Sequence, residues 1–129
     1  MGREVFAARG AICIARDESS LVEEATRKLV DSLASRNGIS AADCVFLLFS
    51  VTSDIRSRNP ATAAREAGWD VPLFCVREAE FEGSPRLVLR LLLAFSAETG
   101  TVPAHAYLDG AEKLRPDLFA DEQFQPNIQ

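Results

Sequence analysis

Apolar and polar residues alternate along this chain with two periods, and the switches between them mark its elements. Residues 4–17, EVFAARGAICIARD, are strand-like, with Gly10 near the middle. In SLVEEATRKLVDSLASRNG, residues 20–38, Leu21, Ala25, Leu29 and Leu33 recur at helical spacing. Ser20 with Glu23 reads as a capping box at the start of that helix, and Asn37-Gly38 as its stop. ISAAD is a short turn or helical fragment, and CVFLLFSVTSD, residues 44–54, is a central strand, apolar almost throughout.

After a polar loop, PATAAREAG at 60–68 has proline at the first helical position and glycine at the stop, which predicts a short helix. WDVPLFCVRE at 69–78 and RLVLRLLLAFSAE at 86–98 are strands separated by a turn at EGSP, and AHAYL at 104–108 is the last strand. The predicted order is β-α-β-α-β-β-β, without repeat or linker. It implies one α/β domain of the α+β kind, a mixed β-sheet with helices on one face. We expect this domain to occupy residues 1–118 and residues 119–129 to form a polar, mobile tail. Several strands carry more apolar surface than two helices can cover, so the chain is expected to oligomerise.

Composition narrows the class. An apolar fraction of 47% with 26% charged residues is that of a soluble globular protein. Nothing approaches a membrane span, and the first residues lack the apolar core of a signal peptide, which points to the cytoplasm. The net charge of −5 disfavours nucleic acid as a partner, although a local cluster of arginines still suits a small anion. Cys13, Cys44 and Cys75 form no C-x-x-C pair, and His105 is the single histidine, so no structural metal site is expected. No phosphate-binding, dinucleotide-binding or serine-nucleophile motif is present, and no cofactor is expected.

The remaining signal is a set of charges that do not suit a core. Arg90 interrupts the apolar run of residues 86–95, where an unpaired guanidinium is costly. Arg9 follows VFAA, Glu78 closes a strand, Arg65 lies on the short helix, Arg115 begins the tail and Tyr107 ends an apolar strand. Arg65 next to Glu66 also fits a solvated helix face, and Tyr107 also fits a half-buried core position. Brought together, these groups make a small cationic pocket with one acid and one phenol, suited to a compact dianion. Such a pocket would work by orientation and electrostatics, without covalent chemistry.

The pieces ARGAICIARD at 8–17, PATAAREAGW at 60–69, VPLFCVRE at 71–78, RLVLR at 86–90 and AYLDGAEKLRPDL at 106–118 occur in a specific order. In that order they resemble the AroH-type monofunctional chorismate mutases over nearly the whole chain. The resemblance implies a trimeric pseudo-α/β-barrel with active sites between subunits, and the Claisen-type rearrangement of chorismate to prephenate without metal or cofactor. It implies that Arg9 holds a substrate carboxylate, Arg90 meets the ether oxygen and Glu78 binds the ring hydroxyl. The Cys75 main chain would meet the same hydroxyl, and Tyr107 a carboxylate. Arg65 would come from the neighbouring chain, Arg115 would stand near the tail, and Leu73 and Leu114 would pack the ring.

Three positions depart from the family pattern. Asn59 replaces an aromatic residue, Thr62 a frequent lysine, and Phe74 a small polar residue. These three reshape one wall of the implied pocket, and Arg56 and Arg58 are nearby cations able to restore the lost charge. Two alternatives therefore stand beside the mutase: a diverged enzyme acting on another chorismate-derived or dicarboxylate substrate, and a non-catalytic trimer that binds an aromatic acid.

Overall fold

The computed structural model describes residues 2–119. The expected tail is represented there by Phe119 alone, which closes a 3-10 turn at Pro116–Phe119; the rest of it, 120–129, lies outside the described residues. The elements follow the expected order: β1 (Arg3–Cys13), α1 (Ser19–Asn37), β2 (Cys44–Val51), α2 (Pro60–Glu66), β3 (Leu73–Arg77), β4 (Val88–Glu98) and β5 (Ala106–Leu108). Short 3-10 turns occupy Ala41–Asp43 and Ala111–Leu114. No described helix is long and apolar enough to cross a membrane.

The strands form one mixed sheet in the order β3-β2-β4-β1-β5. β4 runs antiparallel to both β1 and β2, whereas β5 is parallel to β1 and β3 is parallel to β2. Strand periodicity then sorts the side chains onto two faces. On one face, Ala8 and Ile12 of β1, Leu47 and Phe49 of β2, and Leu89, Leu91, Leu93 and Phe95 of β4 join a single core with Val22, Leu29 and Leu33 of α1 and Ala61 and Ala64 of α2. Both helices cover this face. The other face has a smaller cluster, in which Ala11, Val88 and Tyr107 pack with Ala111 and are flanked by Cys13 and Leu114. Elsewhere that face leaves Phe46, Phe74, Val76 and Leu92 exposed.

One cap differs from the sequence expectation. α1 begins two residues earlier than a Ser20 cap requires, with Glu18 as its N-cap, so Ser20 already lies inside the first turn. Glu18 makes no capping bond because its carboxylate is engaged by Arg16 Nε at 2.9 and 3.0 Å. A capping box forms instead at Ser40 and Asp43, where the Ser40 N–H donates to the Asp43 carboxylate at 3.1 Å. The helix stop is as expected: Gly38 takes φ +63°, a left-handed conformation that glycine adopts without cost.

Gly10 has a different reason to be glycine. It faces α1, where an added Cβ would stand 2.9 Å from both Leu29 Cδ1 and Leu33 Cδ1 and 3.0 Å from the Ala106 carbonyl oxygen. The leucine tips can yield, but the Ala106 backbone is fixed in β5. Gly10→Ala is expected to lower stability by about 1–3 kcal/mol, the usual cost of overpacking. Urea unfolding should show a lower midpoint with an unchanged m-value; an unchanged midpoint would refute the packing argument.

Candidate active site

The sheet register assembles most of the expected site on the face that the helices leave open. Ser50 and Ala11 are the cross-strand neighbours of Arg90, Val76 pairs with Ser50, and Tyr107 pairs with Ala11. Val76, Ser50, Arg90, Ala11 and Tyr107 therefore form one row across five strands. Directly paired residues share a face, and the small side chains of Ser50 and Ala11 leave room around the guanidinium. The adjacent row holds Phe74, Leu48, Leu92 and Arg9. Arg9, Ser50, Val76, Arg90, Tyr107 and Arg115 line a cleft of about 300 Å³.

Arg90 is half-buried, with 32% of its side chain exposed, and it is paired. Its Nε forms an ion pair with Glu78 Oε1. The same oxygen accepts a hydrogen bond from Ser50 Oγ at 3.2 Å. Glu78 is held in turn by its backbone, which extends the β2–β3 ladder by donating its N–H to the Val51 carbonyl at 2.9 Å. Using Nε for the acid leaves the two terminal nitrogens of Arg90 to carry donors into the cleft.

The other wall is organised from the C-terminal segment. Arg115 follows the turn that holds Leu114, and its Nε and one terminal nitrogen donate to Asp117 at 3.0 and 2.7 Å. Arg115 also interacts with the Tyr107 hydroxyl. Hydrogen bonding from Arg115 holds the Asp117 carboxyl below its usual range. Behind Arg9 stands His105, whose Nδ1 accepts the Arg9 backbone N–H at 3.1 Å. Burial, and then the Arg9 and Arg115 cations, lower the His105 pKa, which favours the neutral imidazole that this bond requires.

The remaining candidates do not join this cleft within one chain. Leu73 and Cys75 point to the opposite face and pack against the helix-covered core. Asn59 has a structural task that the sequence reading did not assign: its side-chain oxygen accepts the Ala61 N–H at 2.9 Å and caps α2. Thr62 is half-buried on the same helix, and Arg65 is exposed in its last turn. Phe74 lies on the open face but at the edge strand, 61% exposed. Asn59 and Cys75 line a second cavity, of about 220 Å³, beside the β3 edge. Phe74 apart, the site residues thus fall into two groups on opposite sides of the sheet.

All three cysteines are free thiols. Burial raises the pKa of each, that of Cys44 to about 11, so none is a ready thiolate at neutral pH. Sequence reasoning did not single out Ser50 or His105, each of which holds a site residue. Ser50 was visible as a polar interruption of an apolar strand, but its alignment with Arg90 required the register.

Comparisons with known proteins agree with the arrangement. The family model for chorismate mutase type I matches residues 5–118. Chorismate mutase AroH of Thermus thermophilus is 39% identical over 113 residues, which cover 85% of this chain and 93% of that protein. Among solved structures, the chorismate mutase from Clostridium thermocellum Cth-682 superposes with a TM-score of 0.79 at 30% identity, over 84% of this chain and 98% of that one.

Proposed function

The chain belongs to the chorismate mutase type I family, and from that premise we propose that it rearranges chorismate to prephenate at a site completed by a second copy of itself. The reaction is intramolecular. One ether C–O bond breaks as one C–C bond forms, and no group leaves or enters. Negative charge grows on the ether oxygen as its bond stretches, so a fixed cation there favours the transition state over the ground state.

The observation that carries this reading is the Arg90–Glu78–Ser50 chain, whose Arg90 and Ser50 line a cleft shared with Arg9 and Arg115. Glu78 engages Arg90 through Nε and so orients the terminal N–H donors toward the ether oxygen. The other carboxylate oxygen of Glu78 accepts the ring hydroxyl. Arg9, Tyr107 and Arg115 take the substrate carboxylates, and Leu114 packs against the ring. A planar fork on a carboxylate gives geometric control as well as charge neutralisation.

The second copy accounts for the other group of site residues. Asn59, Thr62 and Arg65 around α2 and the side chains of Leu73 and Cys75 lie on the far side of the sheet from their own chain's cleft, and Phe74 stands exposed on the edge strand. In a closed trimer Arg65, with the wall of Asn59, Thr62 and Phe74, completes the cleft of a neighbour, while the Cys75 main chain stays with Glu78 at the ring hydroxyl. The exposed Phe46, Phe74, Val76 and Leu92 on the open face support such an assembly, because a monomer would leave this apolar surface wet. The three free thiols suit a reducing cytoplasm.

The test is direct. Purified protein incubated with chorismate, with neither metal nor cofactor added, should remove the diene absorbance and give prephenate, identified through its acid-conversion product. Pyruvate as product would move the reading to a diverged enzyme on the same scaffold. Unchanged chorismate would leave an aromatic-acid binding protein.

A further inference from the structure

We infer that Arg56 is a specificity-determining residue that extends its guanidinium across the subunit interface to a carboxylate of the substrate in a neighbouring copy's cleft. The inference rests on the mutase reading and names a cation for its incomplete half. The cavity beside the β3 edge is lined by Arg56, Arg58 and Arg77 together with Asn59 and Cys75, and no acid is among its lining residues. Three cations around a small cavity make a site for an anion, but two of them are already committed.

Arg58 is bound by two acids, with one terminal nitrogen 2.6 Å from Glu66 and 3.4 Å from Glu23. Arg77 uses Nη1 on the loop itself, donating to the Thr52 and Ile55 carbonyls at 2.9 and 2.6 Å. Arg56 differs. Its backbone is fixed, because its N–H donates to Asp17 Oδ2 at 3.0 Å, while Ser57 N and Oγ donate to Asp17 Oδ1 at 3.1 and 2.7 Å. Its exposed guanidinium makes no hydrogen bond or ion pair among the described residues. The Asp17 clasp thus presents a rigidly mounted base with an uncommitted charge at the tip.

The sheet decides which site this charge serves. Cys75, which shares the cavity with Arg56, points to the helix-covered face, whereas Arg9, Arg90 and Tyr107 stand on the open face. Val76 of β3 lines both the cavity and the cleft, so β3 is the wall between Arg56 and the cleft of its own chain. β3 is an edge strand, so an interface formed along it brings Arg56 to the other copy. There it supplies positive charge on the wall where Thr62 carries none.

Steady-state kinetics of Arg56→Gln and Arg56→Lys test the inference. Arg56→Gln should raise the KM for chorismate roughly tenfold with kcat within about twofold, because a carboxylate contact made equally in ground and transition states is uniform binding. Arg56→Lys should recover most of that KM, which a purely structural role would not require. Refolding equal amounts of Arg56→Gln and Arg90→Ala chains together should restore a fraction of sites with the wild-type KM. If Arg56 acted on its own chain's site, no such fraction could appear. An unchanged KM in Arg56→Gln beside an active wild type overturns the inference and leaves the mutase reading intact. Absence of prephenate with the wild type overturns both.

Discussion

Arg90→Ala is expected to lower kcat by roughly two to three orders of magnitude, the usual cost of removing one preorganised donor from a developing oxyanion. KM should change less, because the ground-state ether oxygen carries little charge for Arg90 to bind. The substitution also strips Glu78 of its cation and leaves Ser50 as its remaining described side-chain partner. Arg90→Lys is expected to recover little. Arg90 meets the acid through Nε while its terminal nitrogens remain for the substrate, and an ammonium group, whose three donors radiate from one nitrogen, lacks the separated nitrogens that reach both at once. Initial rates of chorismate loss over a range of substrate concentrations check both variants. A kcat for Arg90→Ala within tenfold of wild type would mean that the breaking bond lies elsewhere.

Co-refolded Arg90→Ala and Arg65→Ala chains are expected to regain about one quarter of wild-type activity, starting from variants that are each nearly inactive or impaired. Arg90 stands on the open face of the sheet, whereas Arg65 is exposed in the last turn of α2, among the residues on the far side. If every pocket of a cyclic trimer draws Arg90 from one chain and Arg65 from the next, random equal assembly makes each contribution intact half the time. The product is about one quarter. Mass spectrometry of the refolded trimers would establish that chains have mixed. Mixed trimers with no gain over the separate variants would place both arginines in the same subunit's function, or Arg65 in none.

The strand that carries Arg90 was readable from the chain, but the face Arg90 takes was not, because Val88, Leu92 and Ala94 on that face are as apolar as the odd-numbered leucines of the buried one. The identities of Arg9, Glu78 and Tyr107 as charges or polar groups at strand positions were readable too. Their alignment was not. Arg90 meets Ser50 and Ala11 because β4 inserts between β2 and β1, and Tyr107 joins the row because β5 lies parallel to β1 at the sheet's edge. Pairings of that range are set by packing of the whole sheet, and no local period encodes them. Local competition hid other features. Ser20 looked like a cap until Glu18 took the position, and Asn59 looked like a pocket wall although its oxygen closes the first turn of α2. Asp17 and Arg77, which tether the loop of Arg56, act between segments far apart in sequence.

The strand order β3-β2-β4-β1-β5 also bears on how the chain acquires its shape. β1 and β2 do not pair with each other; the strand that joins them is β4, which leaves the ribosome much later. Arg3 must find Glu98, nearly the whole described length away. This is high contact order, and loop-closure entropy opposes it until late in synthesis. While β4 is unmade, a nascent chain holds the β2–β3 pair and an unpaired β1, whose open edges invite pairing with other chains. Arg90 is carried by the strand that joins β1 to the β2–β3 pair, so the cation that defines the cleft enters the molecule in the same event that unites its sheet.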